Sequence, residues 1–167
     1  MAAAIRVRTT GESDAAAVQQ VLLESYPPLM AEAYDPDLLR RALPLITKPN
    51  KTLLRWRRYY IAESGNRIVG CGGWSLEEPG GTSTEPGIAH IRHFAVAAEH
   101  VRRGAGRALL DRCEADARGH GVRRFKCFSS LNAAQFYAAL GFRQCGPIGV
   151  QMAEGLTCPS YLMEKQI

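Results

Sequence analysis

The chain lacks the features that would place it in several large classes. Its 167 residues include no uninterrupted apolar run near the roughly 20 that a membrane-spanning helix requires, so no membrane partner is expected. The opening residues, MAAAIRVRTT, have no apolar leader core, and a cytoplasmic protein is the expectation. Five cysteines, Cys71, Cys113, Cys127, Cys145 and Cys158, are scattered with no CxxC pair and no zinc-ligand spacing. That pattern speaks against a disulfide framework and against a metal site. Internal repeats and low-complexity tracts are missing too. So are the two familiar phosphate loops. No Gly-x-x-x-x-Gly-Lys-Ser/Thr occurs, and Gly-x-Gly-x-x-Gly fails after Gly104 and Gly106 because Leu109 holds the third glycine position.

What is present fits one globular domain spanning residues 1–167. Apolar residues make up 46% and charged residues 22% of the chain, the composition of a soluble protein with a sizeable core. The formal net charge is +5, which points to an anionic partner without separating nucleic acid from a phosphorylated cofactor. The arginines Arg102, Arg103, Arg107, Arg112, Arg118, Arg123 and Arg124 crowd into one short span that begins beside two glycines.

Periodicity gives an element order. Ile5 to Arg8 alternates as a first strand. Ser13 reads as the cap of a helix carrying Ala17, Val18, Val21 and Leu22, which Pro27 and Pro28 should end. A second helix runs from Pro36 to about Leu45, with Pro44 and Pro49 bracketing its end. Tyr59–Glu63 and Arg67–Trp74 form a hairpin about Gly65-Asn66. A loop rich in Gly, Pro, Ser and Thr, residues 77–87, is long enough to be mobile or functional. Ile88–Val96 is a strand, Gly104–Arg118 a helix, Arg124–Ser129 a strand and Ala133–Leu140 a short helix stopped by Gly141. Strands near 143–153 and 160–165 finish the chain. The result is an α/β (mixed α+β) fold, a mixed sheet with helices packed on it.

The strand ending at Val96, the glycine-bearing loop and the helix that follows make an anion-binding geometry. The first N–H groups of a helix have no intrahelical partner and lie at the positive end of its dipole. Gly104 and Gly106 remove side chains that would hold a ligand away, and Arg102, Arg103 and Arg107 add charge, so a diphosphate can lie against the amides.

Two blocks then resemble a known family. Ile91-Arg92-His93-Phe94-Ala95-Val96 followed by Arg102-Arg103-Gly104-Ala105-Gly106-Arg107-Ala108-Leu109-Leu110 is similar to the acetyl-CoA-binding motif of the Gcn5-related N-acetyltransferases (GNAT). Asn132-Ala133-Ala134-Gln135-Phe136-Tyr137-Ala138-Ala139-Leu140-Gly141-Phe142 resembles that family's second motif, one helix and one strand downstream. The resemblance covers about Tyr59 to Phe142. One departure is Val101, where the family often has Gln or Arg three residues before the first motif glycine.

The resemblance implies a central, mostly antiparallel sheet flanked by helices, with a splayed strand pair for the cofactor. Acetyl-CoA is the implied co-substrate. Phe94, Ala95 and Val96 would line its pantetheine arm. Arg102, Arg103, Gly104, Ala105, Gly106 and Arg107 would hold its diphosphate, and Asn132, or Ser130 in its place, would contact it. A backbone N–H near Ala95 is the implied oxyanion donor. Tyr137 is the implied general acid, since a phenol of pKa about 10 can protonate a thiolate whose own value is near 8.5. Many relatives carry a glutamate where His90 stands, which makes His90 the candidate base. His93, Glu85 and direct attack by a neutral amine are the alternatives.

The implied activity is acetyl-CoA-dependent N-acetylation of a primary amine on a small molecule or peptide. The acceptor itself is not legible, although Tyr26, Tyr34, Trp74 and Tyr161 are candidates to line its pocket. Two other readings stand beside this one. A non-catalytic acyl-CoA sensor or scaffold would use the same motifs without turnover. A nucleic-acid module would use the arginines and Arg55–Tyr60 but leave the glycines and the Phe-Tyr…Gly-Phe block unexplained. The C-terminal strands offer an edge through which a homodimer could pair.

Overall fold

The computed structural model describes residues 3–167. Seven strands form one sheet in the order β1-β2-β3-β4-β5-β7-β6. They are β1 (Ile5–Thr9), β2 (Tyr59–Ser64), β3 (Arg67–Ser75), β4 (Ile88–Val96), β5 (Arg124–Ser130), β6 (Arg143–Ala153) and β7 (Leu156–Gln166). Every neighbouring pair is antiparallel except β4 and β5. The helices are α1 (Ala15–Met30), α2 (Pro36–Ile46), α3 (Lys51–Arg55), α4 (Ala105–Gly119) and α5 (Ala134–Ala139). Among the described residues no helix is long and apolar enough to cross a membrane.

Alternation along the central strands sends side chains to both faces, and both are buried. Tyr60, Ala62, Ala89, Ile91, Phe125 and Cys127 pack with Ala105, Leu109, Leu110, Cys113 and Ala117 of α4 and with Tyr137 of α5. The opposite parity, Tyr59, Ile61, Cys71 and Ala95, packs with Val18, Val21 and Leu22 of α1 and Leu53 and Leu54 of α3. A third cluster, Met30, Tyr34, Leu39 and Cys158, joins α1 and α2 to β7. The sheet therefore separates an α4/α5 face from an α1/α2 face.

Several local expectations are corrected. Helix α1 does not stop at Pro27-Pro28 but continues to Met30. The prolines sit in its last turn, and the donors they lack would have served Leu23 and Glu24, on the solvent side, where water can replace them. Ser13 is not the cap. Residues Glu12–Asp14 form a 3₁₀ turn, and Asp14 accepts from Gly11 N–H at 2.8 Å and takes two bonds from Arg8 at 2.9 and 3.0 Å. Helix α2 carries Pro44 inside it and runs to Ile46. Helix α3 was not foreseen; Asn50 caps it, accepting from the N–H groups of Thr52 and Leu53. Strand β7 begins at Leu156, four residues earlier than expected, because it pairs with β6 along nearly all of both strands.

The Asp14 cluster makes stability pH-dependent. The hydrogen bonds from Arg8 hold the Asp14 carboxyl below its usual range. A depressed folded-state pKa contributes stability that is complete above the unfolded value of about 3.9 and is lost as pH falls through the folded value. Asp14→Ala should cost about 1–2 kcal/mol at neutral pH. In urea titrations the gap between wild type and variant should close as pH drops below about 4; a gap that persists would refute this account of Asp14.

Candidate active site

Strands β4 and β5 pair over three positions only, Ile88 with Arg124, Ala89 with Phe125 and His90 with Lys126. Beyond His90 and Lys126 they part. β4 continues to Val96 against β3 on its other side, and β5 continues to Ser130 against β7. This leaves an edge inside the sheet.

The cause lies in β4. Cys71 pairs with Ala95 and Gly73 with Arg92, so β4 carries one extra residue opposite Gly72. His93 sits at that bulge with φ 53°. A bulge bends and twists its strand. Its unusual backbone is anchored from three directions. Tyr59 donates its hydroxyl to the His93 carbonyl at 2.8 Å, and Tyr26 donates to the Phe94 carbonyl at 2.9 Å. The His93 Nε2 lies 2.8 Å from the carbonyl of Ile46, the last residue of α2. Since a carbonyl only accepts, Nε2 carries the proton there. Gly72 completes the arrangement: a Cβ there would lie 2.3 Å from the Phe94 ring.

Strand geometry then sorts the amides. The Ala97 N–H bonds the Val69 carbonyl of β3 at 2.9 Å. Because neighbouring residues present their backbone groups to opposite sides, Ala95 also faces β3, whereas Phe94 and Val96 face the gap. With the Phe94 carbonyl taken by Tyr26, the Phe94 and Val96 N–H groups and the Val96 carbonyl remain for a guest.

The turn into α4 stands at the end of this edge. Gly104, its N-cap, has φ 91° and makes no side-chain capping bond, and Arg102 also takes a positive φ of 61°. Nothing lies within 4 Å of where a Gly104 Cβ would be. The N–H groups of Ala105, Gly106 and Arg107 open the helix without intrahelical partners. Arg102, Arg103 and Arg107 are exposed and join no ion pair among the described residues. The second motif glycine has a different purpose from the first. Gly106 is buried, and a Cβ on it would come within 2.6 Å of the Phe136 ring. Its missing Cβ lets α5 close on α4.

Phe136 leads back to the gap. Its ring meets Tyr137 at 5.0 Å between centroids, and Tyr137 meets Phe142 at 5.3 Å and Phe94 at 6.4 Å, all edge-on. Tyr137 is 5% exposed, and its hydroxyl neighbours the Cys127 thiol of β5. Burial pushes the Tyr137 phenol far above its ordinary value and the Cys127 thiol up to about 12, so both are protonated at neutral pH. Cys127 was not singled out from the sequence, where nothing distinguishes a buried core thiol from one beside a reacting hydroxyl. Asn132 is exposed in the 3₁₀ turn Leu131–Ala133 that leads to α5, and Ser130 is that turn's N-cap.

His90 faces the other side. It stands on the α1/α2 face at the point where the strands part, 4% exposed, with Nδ1 lacking any partner. Phe128 packs edge-on to it at 6.0 Å. Burial lowers its pKa, opposed by the nearby carboxylates of Glu78 and Glu85, so the ring is neutral at pH 7. His90 lines a cleft of about 680 Å³ with Lys126 and Phe128 of β5, residues 148–153 of β6, Glu154 of the β6–β7 turn, and Glu78, Pro79, Gly80 and Glu85 of the long loop.

Tyr26, Tyr34, Trp74 and Tyr161 do not line this cleft. Tyr26 is committed to the bulge. Tyr34 donates to the Pro159 carbonyl and accepts from the Leu131 N–H. Trp74 donates to Asp116 on the α4 face, and Tyr161 packs against the core of that face. Nor can Arg55–Tyr60 stack bases with its tyrosines, since Tyr59 and Tyr60 are buried. Among the described residues no group of three or more His, Cys, Asp or Glu side chains could hold a metal ion.

Residues 17–142 match the model of the acetyltransferase (GNAT) family. The chain belongs to that family. The GNAT fold is also that of solved structures along the whole chain. A GCN5-related N-acetyltransferase from Rhodopseudomonas palustris is 21% identical, with 100% of this chain and 97% of that one covered at a TM-score of 0.74. The PaiA N-acetyltransferase from Thermoplasma acidophilum, in complex with coenzyme A, is 16% identical over 98% of this chain and 99% of that one, at 0.72. N-acetylglutamate synthase from Neisseria gonorrhoeae, with coenzyme A and N-acetyl-glutamate, is 17% identical over 98% of this chain but 35% of its own, at 0.63. No curated protein matches the chain in sequence.

The two glycines should be separable by experiment. Gly106→Ala should destabilise the protein by about 1–3 kcal/mol through overpacking against Phe136. Phe136→Leu in the same chain should recover part of that loss, read as a coupling in a urea-denaturation double-mutant cycle. Additive single effects would show that the Gly106–Phe136 contact is not the reason for the glycine.

Proposed function

We propose that this protein moves an acetyl group from acetyl-CoA to a primary amine of a small molecule or peptide. The observation that carries this reading is the opened edge of β4 beyond His90, with the turn into α4 at its end. An extended arm with amide groups fits that edge as a substitute strand against the backbone of Phe94, Ala95 and Val96. A diphosphate fits the turn, where the backbone from Gly104 through Ala105 and Gly106 to Arg107 presents its amides, and Arg102, Arg103 and Arg107 supply charge. Asn132, or Ser130 beside it, adds a polar contact.

The chemistry follows from the two faces. The acceptor enters on the α1/α2 face, where His90 takes a proton from its nitrogen. That nitrogen forms a bond to the acetyl carbon, and the carbon–sulfur bond breaks. As the carbonyl oxygen gains charge, the gap-facing N–H of Phe94 or Val96, the neighbours of Ala95, stabilises it. On the α4/α5 face the Tyr137 hydroxyl gives its proton to the departing thiolate. The high Tyr137 pKa is no obstacle, because a thiolate leaving into the same apolar surroundings is equally short of solvation. The proton held on His90 finally balances the one lost by Tyr137, so a neutral amine and thioester give an amide and a thiol.

Calorimetry with acetyl-CoA and steady-state thiol release test the assignment. Gly104→Val should weaken coenzyme binding at least tenfold in a sample with native circular dichroism. Tyr137→Phe should lower kcat by about 100-fold while leaving that affinity nearly intact. The lowered His90 pKa places the acidic limb of kcat below pH 6.5, and His90→Gln should remove it. Absence of coenzyme binding at millimolar concentration would overturn the reading; binding without acceptor-dependent thiol release would replace it with a non-catalytic acyl-CoA module.

A further inference from the structure

Two adjacent glycines stand in β3, and each admits a ring from a neighbouring strand. Gly72 makes room for Phe94. A Cβ on Gly73 would lie 2.2 Å from the Arg58 carbonyl oxygen and 2.7 Å from the Tyr59 ring. Tyr59 belongs to β2, where it pairs with Gly73. Across that bare position its hydroxyl reaches β4 and donates to the His93 carbonyl at 2.8 Å. The Cys71 thiol lies 4.0 Å from the same oxygen. Tyr59 is 2% exposed and packs in the cluster with α1 and α3. Burial pushes its phenol far above the ordinary value, so it remains a donor at any working pH and takes no part in proton exchange.

The carbonyl that Tyr59 holds is one end of a rigid unit. A peptide group is planar, and in the trans form its C=O and N–H point in opposite directions. The sheet runs β2-β3-β4-β5, so a His93 carbonyl drawn toward Tyr59 of β2 sends the N–H of the next residue, Phe94, toward β5. Beyond His90 and Lys126 that strand is not paired with β4, and the N–H opens on the gap. A bulge disrupts the ladder that would otherwise fix such a peptide plane. The Tyr59 hydroxyl takes the place of the ladder there. A donor on the carbonyl also polarises the peptide and strengthens its N–H as a donor in turn. Tyr26 makes the same kind of bond one residue further on, to the Phe94 carbonyl at 2.9 Å. The peptide it holds carries the Ala95 N–H, and Ala95 pairs with Cys71 of β3. Of the two tyrosines, Tyr59 is the one that governs a gap-facing N–H.

The geometry points to Tyr59 as a positioning residue for acetyl transfer: by holding the His93 carbonyl it fixes the plane of the 93–94 peptide and aims the Phe94 N–H at the place where the acetyl carbonyl oxygen gains charge. This rests on the acetyl-transfer reading above; it assigns the oxyanion donor to Phe94 and the control of that donor to a side chain two strands away. A preset dipole stabilises developing charge because its direction is fixed before the reaction begins, and a misplacement of about 1 Å can cost about 100-fold in rate. Without the Tyr59 hydroxyl the N–H loses its aim, while the strand edge and the α4 turn that hold the coenzyme are unchanged.

The test reads the carbonyl itself and needs no acceptor. Acetyl-CoA carrying ¹³C at the thioester carbonyl is bound to the full protein, and its stretching band is followed by isotope-edited infrared spectroscopy. Tyr59→Phe should raise the band frequency above that of the wild-type complex. Tyr26→Phe, which removes the neighbouring bond at the same bulge, should leave the band nearly in place. Both variants should bind acetyl-CoA within about threefold of wild type by calorimetry. In thiol release with an accepted primary amine, Tyr59→Phe should lower kcat about tenfold or more at unchanged KM for acetyl-CoA. An unmoved band in Tyr59→Phe would overturn the inference; so would equal movement in both variants, which would mean that the hydroxyls only support the bulge. Should Tyr59→Phe not fold, ¹⁵N labelling of the five phenylalanines of the wild type decides. The Phe94 amide proton should move further downfield with acetyl-CoA than with coenzyme A, and an identical response to both would overturn the inference. A band that shifts as expected without amine-dependent thiol release would sustain the aim of the Phe94 N–H and overturn the transfer reading. No binding of acetyl-CoA would overturn both.

Discussion

One extra residue in β4 governs the site. Without the bulge at His93, β4 would run on beside β5 as an ordinary parallel neighbour, and the hydrogen bonds beyond His90 would be spent inside the protein. A non-glycine residue in the left-handed region costs on the order of 1–3 kcal/mol. The hydroxyls of Tyr59 and Tyr26 and the His93 ring bond to the carbonyls of His93, Phe94 and Ile46. At about 1 kcal/mol net apiece, these bonds offset the cost. The bulge also reverses side-chain parity, which is why His90 and Arg92 face α1 and α2 while Phe94 faces Tyr137. The same irregularity therefore opens the sheet and gives each side of the opening its own chemistry.

From the bulge outward, glycine placement fits the elements together. Gly72 admits the Phe94 ring, which in turn meets Tyr137. Gly106 admits Phe136, which meets the other flank of Tyr137. The phenol is thus gripped by side chains from β4, α5 and Phe142, the residue just before β6, with the Cys127 thiol beside its hydroxyl. A ring packed on several sides has few alternative rotamers.

The sequence made part of this legible. The strand–turn–helix from Ile88 through Arg118 and the Phe-Tyr…Gly-Phe block could be read because the signals are local: alternation, glycines at a helix start, a 3.6-residue period. Pro27-Pro28 misled because the cost of a helix-interior proline depends on whether the lost bonds face solvent, and that is a tertiary fact. The helix Lys51–Arg55 is too short to show a period. That Gly106 also makes room for Phe136 could not be read, because local sequence does not report a ring 30 residues away. That the cleft beside His90 lies away from Tyr26, Tyr34, Trp74 and Tyr161 was not legible for the same reason. Its walls come from a loop, from β5 and from a hairpin near the chain's end, and no local pattern reports that they meet.

The distribution of charge divides along the same two faces as the packing. The exposed arginines gather at the turn into α4, while Glu78, Glu85 and Glu154 line a cleft on the other face of the sheet from Tyr137. Segregation of this kind gives one small molecule of net charge +5 two regions of opposite sign, so local potential and net charge need not agree.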